Sequence, residues 1–169
     1  DDNVFSKFNR NNDILSIGEK YSGFNYIELY RKCNTKQITS PKIINLIKND
    51  ITKTMNDMTH RSRGIKYIFN HISDDVHITL YQEGDYLNEH IDDAYTENNY
   101  KCLYTLVLFL STCDKGGELV FTCCDKKIKP VKGNYIFVPT ENIPHKCDIA
   151  IDKKIILVAD LMFEKIVDE

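Results

Sequence analysis

The 169-residue sequence has no C-x-x-C pair, no excess of basic residues and no long apolar run. Its six cysteines are scattered apart from the adjacent Cys123 and Cys124, and this spacing argues against a zinc ribbon. Adjacent cysteines can bond to each other only with strain. We therefore expect free thiols in a reducing compartment, with an oxidising compartment as the alternative.

Charge and hydropathy exclude two classes of partner. A formal net charge of -3, without a block of like charge, leaves no basic footprint for nucleic acid. No apolar run approaches the roughly 20 residues that cross a membrane, so we expect no membrane association from this chain. The length suits a single domain over residues 1–169.

Composition also gives expectations about source and location. Lysine outnumbers arginine, and asparagine and isoleucine are abundant, a bias typical of AT-rich genomes such as those of large DNA viruses and some protists. We expect a cytoplasmic protein, in the host cytoplasm if the source is a virus. The chain begins at Asp1 rather than Met, which is compatible with removal of a leading anchor or signal.

The first half of the chain predicts a strand, a helix and a loop. The run FNYIELYRK is typical of one strand, and Ser40 followed by Pro41 is typical of a helix start. A glycine-containing loop with Arg61 and Arg63 follows, and then a short extended piece. The helix carries an apolar stripe that we expect to pack on the outside of a sheet, formed by Ile43, Ile44, Ile47, Ile51, Met55 and Met58.

The second half predicts a succession of short strands. Residues 76–81 alternate in polarity as a half-buried strand does, and a turn over residues 82–85 separates them from an extended run starting at Tyr86. The run CLYTLVLFLS is apolar enough to be buried on both faces of a sheet. Further short strands follow between Gly, Pro and Asp-Lys turns.

Two potential metal ligands, His90 and Asp92, lie on alternate residues after that turn. Side chains two apart on a strand project to the same side, so both can hold one ion. His145 follows a proline and precedes an alternating apolar stretch, so it can supply a third ligand from a neighbouring strand. Two imidazoles and a carboxylate on one face are typical of non-haem Fe(II) oxygenases, although these ligand types also allow zinc.

Other residues compete for the same role. A register slip would make Asp93 the carboxylate ligand, but we favour Asp92 because Asp93 would face away from His90. The remaining histidines have no carboxylate at metal-ligand spacing in an ordered motif. We interpret them as surface or satisfied core residues: His60, His71 and His77.

From Tyr81 to about Met162 the sequence resembles the Fe(II)- and 2-oxoglutarate-dependent oxygenases, in particular the prolyl 4-hydroxylase-like branch that includes the procollagen and hypoxia-inducible-factor prolyl hydroxylases. Five elements carry the resemblance in the family's order: YQEGDYLNEHID, the apolar strand ending in LS, GGELVF, GNYIFVP and PHKCDIAIDKK. The resemblance implies a mainly β fold with flanking α, a double-stranded β-helix (jelly roll) with helices packed on one side. We expect residues 1–75 to form a helical and strand support region and residues 76–163 the jelly-roll catalytic core.

The resemblance also implies residue roles. His90, Asp92 and His145 would ligate Fe(II), and Lys154, at the family's basic position, would pair with the distal carboxylate of 2-oxoglutarate. Its neighbour Lys153 would point to the other side of a regular strand. Two hydroxyl groups, those of Tyr81 and Thr105, would help to fix that carboxylate, with Phe109 on the same strand face as Thr105.

Ordinary structural roles are the alternatives at two of these positions. Tyr81 could be a core aromatic, and Lys154 could be a solvated hairpin lysine. Asp152 stands where the family often has glycine, so we expect the hairpin there to close differently. By the same family analogy, the loop with Arg61 and Arg63 is either a mobile segment that grips the substrate or a plain solvated connector.

These features predict a dioxygenase that uses Fe(II), 2-oxoglutarate and O2 to hydroxylate a protein or peptide side chain, with proline as the favoured residue; the family also implies ascorbate as a reductant. One alternative is a 2-oxoglutarate oxygenase for lysyl, asparaginyl or small-molecule substrates. Another is a non-catalytic peptide-binding module that retains the metal pocket. The nucleic-acid demethylase branch is disfavoured because no arginine follows Lys154.

Overall fold

The computed structural model describes residues 24–28 and 31–166. This part of the chain contains one helix, and its strands form a single twelve-stranded sheet. In chain order the elements are β1 (Phe24–Glu28), β2 (Arg31–Gln37), α1 (Pro41–Met55), β3 (Thr59–Ser62), β4 (Ile65–Tyr81), β5 (Tyr86–His90), β6 (Thr96–Glu97), β7 (Tyr100–Phe109), β8 (Leu119–Phe121), β9 (Lys126–Ile128), β10 (Tyr135–Pro139), β11 (His145–Cys147) and β12 (Lys154–Ile166).

The sheet is antiparallel and curls on itself. Its main path runs β10-β7-β12-β4-β2-β5-β11-β8-β9, with β1 paired to β2, β3 to β4 and β6 to β7. The curled antiparallel sheet is a jelly roll, which confirms the predicted fold class. The predicted boundary at residue 75 falls within β4, and the division into a support region and a catalytic core stays a prediction.

The helix begins and packs as its sequence predicts. It starts at Pro41 after Ser40 as N-cap, and its buried residues Ile47, Ile51 and Met55 join the core cluster on one face of the sheet. The predicted stripe is wrong at its end, because the helix stops at Met55 and Met58 lies beyond it. Met58 still packs against the same core from the segment before β3.

The central strands β7 and β12 are buried on both faces, as the apolar run predicts for β7. In β7, Leu106 and Leu108 face the helix-side cluster, whereas Val107 and Phe109 belong to a second cluster on the opposite face. This alternation gives β7 and β12 an apolar environment on both sides, which favours a continuous hydrophobic run.

Two predictions about the first half are wrong. The run FNYIELYRK is not one strand but spans β1 and the start of β2, with Glu28 paired to Arg31. Arg61 lies in β3 rather than in a loop, and the β3–β4 hairpin closes from Ser62 to Ile65. Its two turn residues, Arg63 and Gly64, both have positive φ (49° and 79°), the requirement of a tight two-residue hairpin turn.

Two expectations about covalent and membrane chemistry can be compared with the structure. All six cysteines lie within the described residues, and each is a free thiol in this structure. Within residues 24–28 and 31–166, no helix has the length and apolar character needed to cross a membrane.

The central strand provides a stability prediction. Leu157 in β12 is 0% exposed, between β4 and β7. We expect Leu157→Ala to lower the free energy of unfolding by about 2–5 kcal/mol, because it leaves a cavity in the core. Ile149→Ala is the control, since that side chain is 59% exposed and its loss should change stability by less than about 0.5 kcal/mol. Urea denaturation measures both, and equal effects would contradict this description of the core.

Candidate metal centre and cavity

The pairing of two short strands brings two histidines together. His90 is the last residue of β5 and His145 the first of β11, and the two are register partners. Their ring centroids lie 4.2 Å apart. On its other side β11 pairs with β8, which places Phe121 opposite His145. His145 is therefore buried among strands, whereas His90 is partly open to solvent.

Asp92 completes the cluster from just beyond the end of β5. Its Oδ1 lies 3.3 Å from His90 Nε2 and 3.6 Å from His145 Nε2. The Asp92 carbonyl accepts a hydrogen bond from the Glu141 backbone N–H at 3.2 Å, which anchors the chain where the strand has ended. The exposed Asp93 is not part of this cluster, so the geometry selects the first aspartate of the pair.

Both imidazoles are oriented by backbone carbonyls. His90 Nδ1 donates to the Asn88 carbonyl at 2.9 Å, and His145 Nδ1 donates to the Ile143 carbonyl at 3.0 Å. Because a carbonyl oxygen can only accept, the proton sits on Nδ1 and the Nε2 lone pair is directed elsewhere. Two lone pairs and a carboxylate then converge within 4.8 Å, an arrangement that fits a metal cation.

The protonation states also suit a metal site. Burial lowers the pKa of His145 and so favours the neutral imidazole that binds metals. Burial would raise the pKa of Asp92, but the adjacent His90 and His145 and the Thr105 hydroxyl outweigh this effect and hold the pKa below its ordinary value. The Asp92 carboxylate and the His145 Nε2 are therefore held in their deprotonated forms.

The cluster lines a cavity of about 540 Å³ whose wall is set by strand register. Alternate residues of the adjacent strands β12 and β4 lie side by side in this wall: Lys154 with Tyr81, Ile156 with Thr79, and Val158 with His77. The neighbouring strands extend these rows, β7 with Phe109, Val107 and Thr105, and β2 with Cys33, Thr35 and Gln37.

Lys154 lies at one end of this cavity and is 1% exposed, whereas Lys153 is exposed. Its Nζ donates to the Gly117 carbonyl at 2.9 Å and lies 3.9 Å from the centroid of the Tyr81 ring. No carboxylate of the described residues is within ion-pair distance of it. A buried ammonium group without a counter-ion is costly, so this end of the cavity fits an anionic ligand.

Paired glycines shape that end. Gly116 and Gly117 both have positive φ (68° and 69°), and a side chain at Gly116 would collide with the Ile149 carbonyl oxygen. Because the two segments approach closely, the Gly117 N–H donates a hydrogen bond to the Ile149 carbonyl at 3.0 Å. The Gly117 carbonyl in turn accepts a hydrogen bond from Lys154 Nζ. The hairpin before β12 closes with Asp152, whose carboxylate accepts from the Lys115 N–H.

The other cavity residues, both those that the sequence predicted and those that it did not, lie around the metal cluster and Lys154. Tyr81 faces Lys154, whereas the Thr105 hydroxyl interacts with the Asp92 carboxylate. The role of Thr105 toward 2-oxoglutarate stays a prediction. His77 and Gln37 also line the cavity, although the sequence reading placed His77 on the surface or in the core. Its spacing of four residues from Tyr81 on one strand was the signal that could have indicated it.

The comparisons with known proteins agree with this geometry. Residues 76–159 match the family model described as the 2OG-Fe(II) oxygenase superfamily, which confirms the resemblance carried by the motifs. The sequence has no significant match among curated proteins.

Solved structures share the fold. The viral collagen prolyl hydroxylase of Paramecium bursaria chlorella virus-1, solved with 2OG, superposes with a TM-score of 0.68 at 20% identity, covering 94% of this chain and 96% of that one. A Trichoplax adhaerens prolyl hydroxylase in complex with a hypoxia inducible factor peptide gives 0.69 at 15% identity, covering 94% and 83%. A Pseudomonas putida prolyl-4-hydroxylase gives 0.61 at 14%, covering 93% and 90%.

Two adjacent aspartates allow a matched test of the metal cluster. We expect Asp92→Asn to weaken binding of Mn(II) or Co(II) by more than about 100-fold, because it removes the anionic ligand. Asp93→Asn should bind as the wild type does, since that side chain is exposed and outside the cluster. Isothermal titration with each metal measures the affinities. Equal losses in both variants would show that the metal binds elsewhere.

Proposed function

We propose that this member of the 2OG-Fe(II) oxygenase superfamily, which carries the family's sequence over residues 76–159, hydroxylates a prolyl side chain of a protein or peptide. One observation carries the proposal. A single cavity joins a cluster of two imidazoles and one carboxylate to a buried, uncompensated lysine. The first fits a divalent metal, and the second fits the far carboxylate of a dicarboxylic acid.

In this proposal His90, Asp92 and His145 hold Fe(II). With 2-oxoglutarate bound, the iron supplies the activation of O2 that is coupled to oxidative decarboxylation of the co-substrate. The chain's part is to fix the ligands. The carbonyls of Asn88 and Ile143 hold both imidazole rings with Nε2 toward the site, and Glu141 anchors the backbone of Asp92. Thr105 adds a hydroxyl beside the carboxylate of Asp92.

Lys154 and Tyr81 then form the co-substrate end. The ammonium group is fixed by the Gly117 carbonyl and the Tyr81 ring, so it loses little further freedom when a carboxylate approaches. A lysine offers a point charge rather than the two-pronged geometry of arginine. Phe109 and Ile156 occupy the next row and keep water from the space between this end and the metal cluster.

The prolyl substrate is supported by the proteins that share the fold. One is described as a viral collagen prolyl hydroxylase, and another was solved with a peptide fragment of hypoxia inducible factor. A lysyl, asparaginyl or small-molecule substrate would use the same metal and lysine. A non-catalytic module is disfavoured, because all three ligand positions and the lysine are kept in one cavity. Ascorbate as reductant and a cytoplasmic location stay predictions.

The adjacent lysines test the co-substrate site. We expect Lys154→Met to raise the KM for 2-oxoglutarate by about 30-fold or more, because the co-substrate's carboxylate loses its buried ionic partner. Lys153→Met, at an exposed position, should leave this KM unchanged. Succinate release with Fe(II) measures both variants, and thermal unfolding checks that they are folded. A similar KM in the two variants would place the carboxylate elsewhere.

The substrate class is tested with a mixed-sequence peptide library. We expect the iron-loaded wild type with 2-oxoglutarate to add the mass of one oxygen atom to peptides on proline, and Asp92→Asn to add none. Fragmentation mass spectrometry identifies the modified residue. Oxygen on lysine or asparagine would support the alternative oxygenase, and succinate formation without any modified peptide would indicate a small-molecule substrate.

A further inference from the structure

The wall formed by β2 and β4 runs from the Lys154 end of the cavity toward its other end. Along β4 the residues that face the cavity are Tyr81, Thr79 and His77, and β2 places Thr35 and Gln37 opposite the last two. Four residues of strand separate Tyr81 from His77, about 13 Å. If the co-substrate occupies the Tyr81 end, the Gln37–His77 end is left for the substrate.

Asp75 fixes the polar side chains at this end. Its Oδ1 accepts a hydrogen bond from Gln37 Nε2 at 2.9 Å and lies 3.5 Å from His77 Nε2. A local irregularity places it there, because the β4–β12 pairing jumps from Val76 with Ala159 to Ile72 with Leu161. Ser73 Oγ accepts from the Asp75 N–H at 3.1 Å and stabilises this bulge.

The carboxylate determines what the two side chains can offer. Because an ionised carboxylate only accepts hydrogen bonds, Gln37 turns its N–H group toward it, and the nearby Nε2 of His77 is favoured as the protonated ring nitrogen. Their remaining polar atoms are Gln37 Oε1, which is an acceptor, and His77 Nδ1, which is an acceptor in the neutral imidazole with its proton on Nε2. Within residues 24–28 and 31–166, neither atom has another hydrogen-bond partner. This end of the cavity therefore suits a ligand that donates hydrogen bonds.

We propose that Gln37 and His77 form a substrate subsite that accepts a hydrogen bond from a peptide backbone N–H beside the hydroxylated residue. The inference rests on the proposed function and adds a selection rule to it. Proline has no backbone N–H, so the donor must belong to a residue that flanks the target proline. The enzyme then acts on prolines with a non-proline neighbour and discriminates against continuous polyproline.

The test combines protein variants with N-methylated peptides. One peptide hydroxylated by the wild type is made again with each flanking amide methylated in turn, and with a remote amide methylated as a control. We expect methylation of one of the flanking amides to lower kcat/KM of the wild type roughly five-fold, the effect of one lost hydrogen bond. Methylation of the remote amide should have no effect.

The protein variants show whether the fall in kcat/KM on methylation comes from a lost contact with Gln37 and His77. The double variant Gln37→Leu/His77→Leu should show the reduced kcat/KM on the unmethylated peptide and no further loss on the methylated one. His77→Gln keeps an acceptor and should behave as the wild type. His71→Leu is the matched control, because His71 is on the same strand but contacts Tyr100 outside the cavity. The KM for 2-oxoglutarate should be unchanged throughout.

The failures of the two proposals can be distinguished. A double variant that is as sensitive to flanking methylation as the wild type would overturn the subsite and leave the oxygenase in place. The same conclusion would follow if the wild type consumed 2-oxoglutarate but modified no peptide in the library. Absence of any 2-oxoglutarate consumption would instead contradict the proposed function, and the subsite with it.

Discussion

The position of β12 between β4 and β7 is the constraint on which the site depends. Its register fixes which side chains of three strands share a row, so Lys154 meets Tyr81, Ile156 lies between Phe109 and Thr79, and Val158 between Val107 and His77. A slip of one residue would point the Lys154 side chain into the helix-side core and put apolar side chains in its row of the cavity wall. Because this strand packs against apolar side chains on both faces, such a slip costs free energy. The packing that forms the core therefore also places the site residues.

Charge provides a second constraint within the same cavity. The described residues bring a buried ammonium group to one end and a carboxylate with two imidazoles to the other, separated by apolar rows. Within residues 24–28 and 31–166, neither end has an opposite charge beside it that neutralises it. In the proposed complex a divalent cation and a dicarboxylate would bind between them, and the four charged partners would sum to zero. Such a cavity favours joint occupancy, because either ligand alone would leave a buried charge unbalanced.

The sequence predicted the site better than its surroundings, and the reason is local geometry. His90 and Asp92 are two residues apart, so strand parity alone places them together, and parity also separates Lys154 from Lys153. Asp92 nevertheless lies outside β5, and the Glu141 N–H that holds it comes from a distant loop that no local pattern reveals. The hairpin at Arg63 was missed because arginine rarely adopts positive φ, and the pairing of β3 with β4 supplies the energy that offsets this.

His77 shows where local parity is insufficient. Its spacing of four residues from Tyr81 puts both side chains on one face of β4, but the strand pattern does not show whether that face lines a cavity or meets solvent. The distinction comes from the bulge opposite Asp160, which ends the regular pairing at Val76 and brings the Asp75 carboxylate to the side of Gln37 and His77. A bulge forms where two strands that are distant in sequence have different numbers of residues between paired positions. The polarity of this end of the cavity is therefore a property of the assembled sheet. In the proposed enzyme, substrate selection can therefore change through this mismatch while His90, Asp92, His145 and Lys154 keep their places.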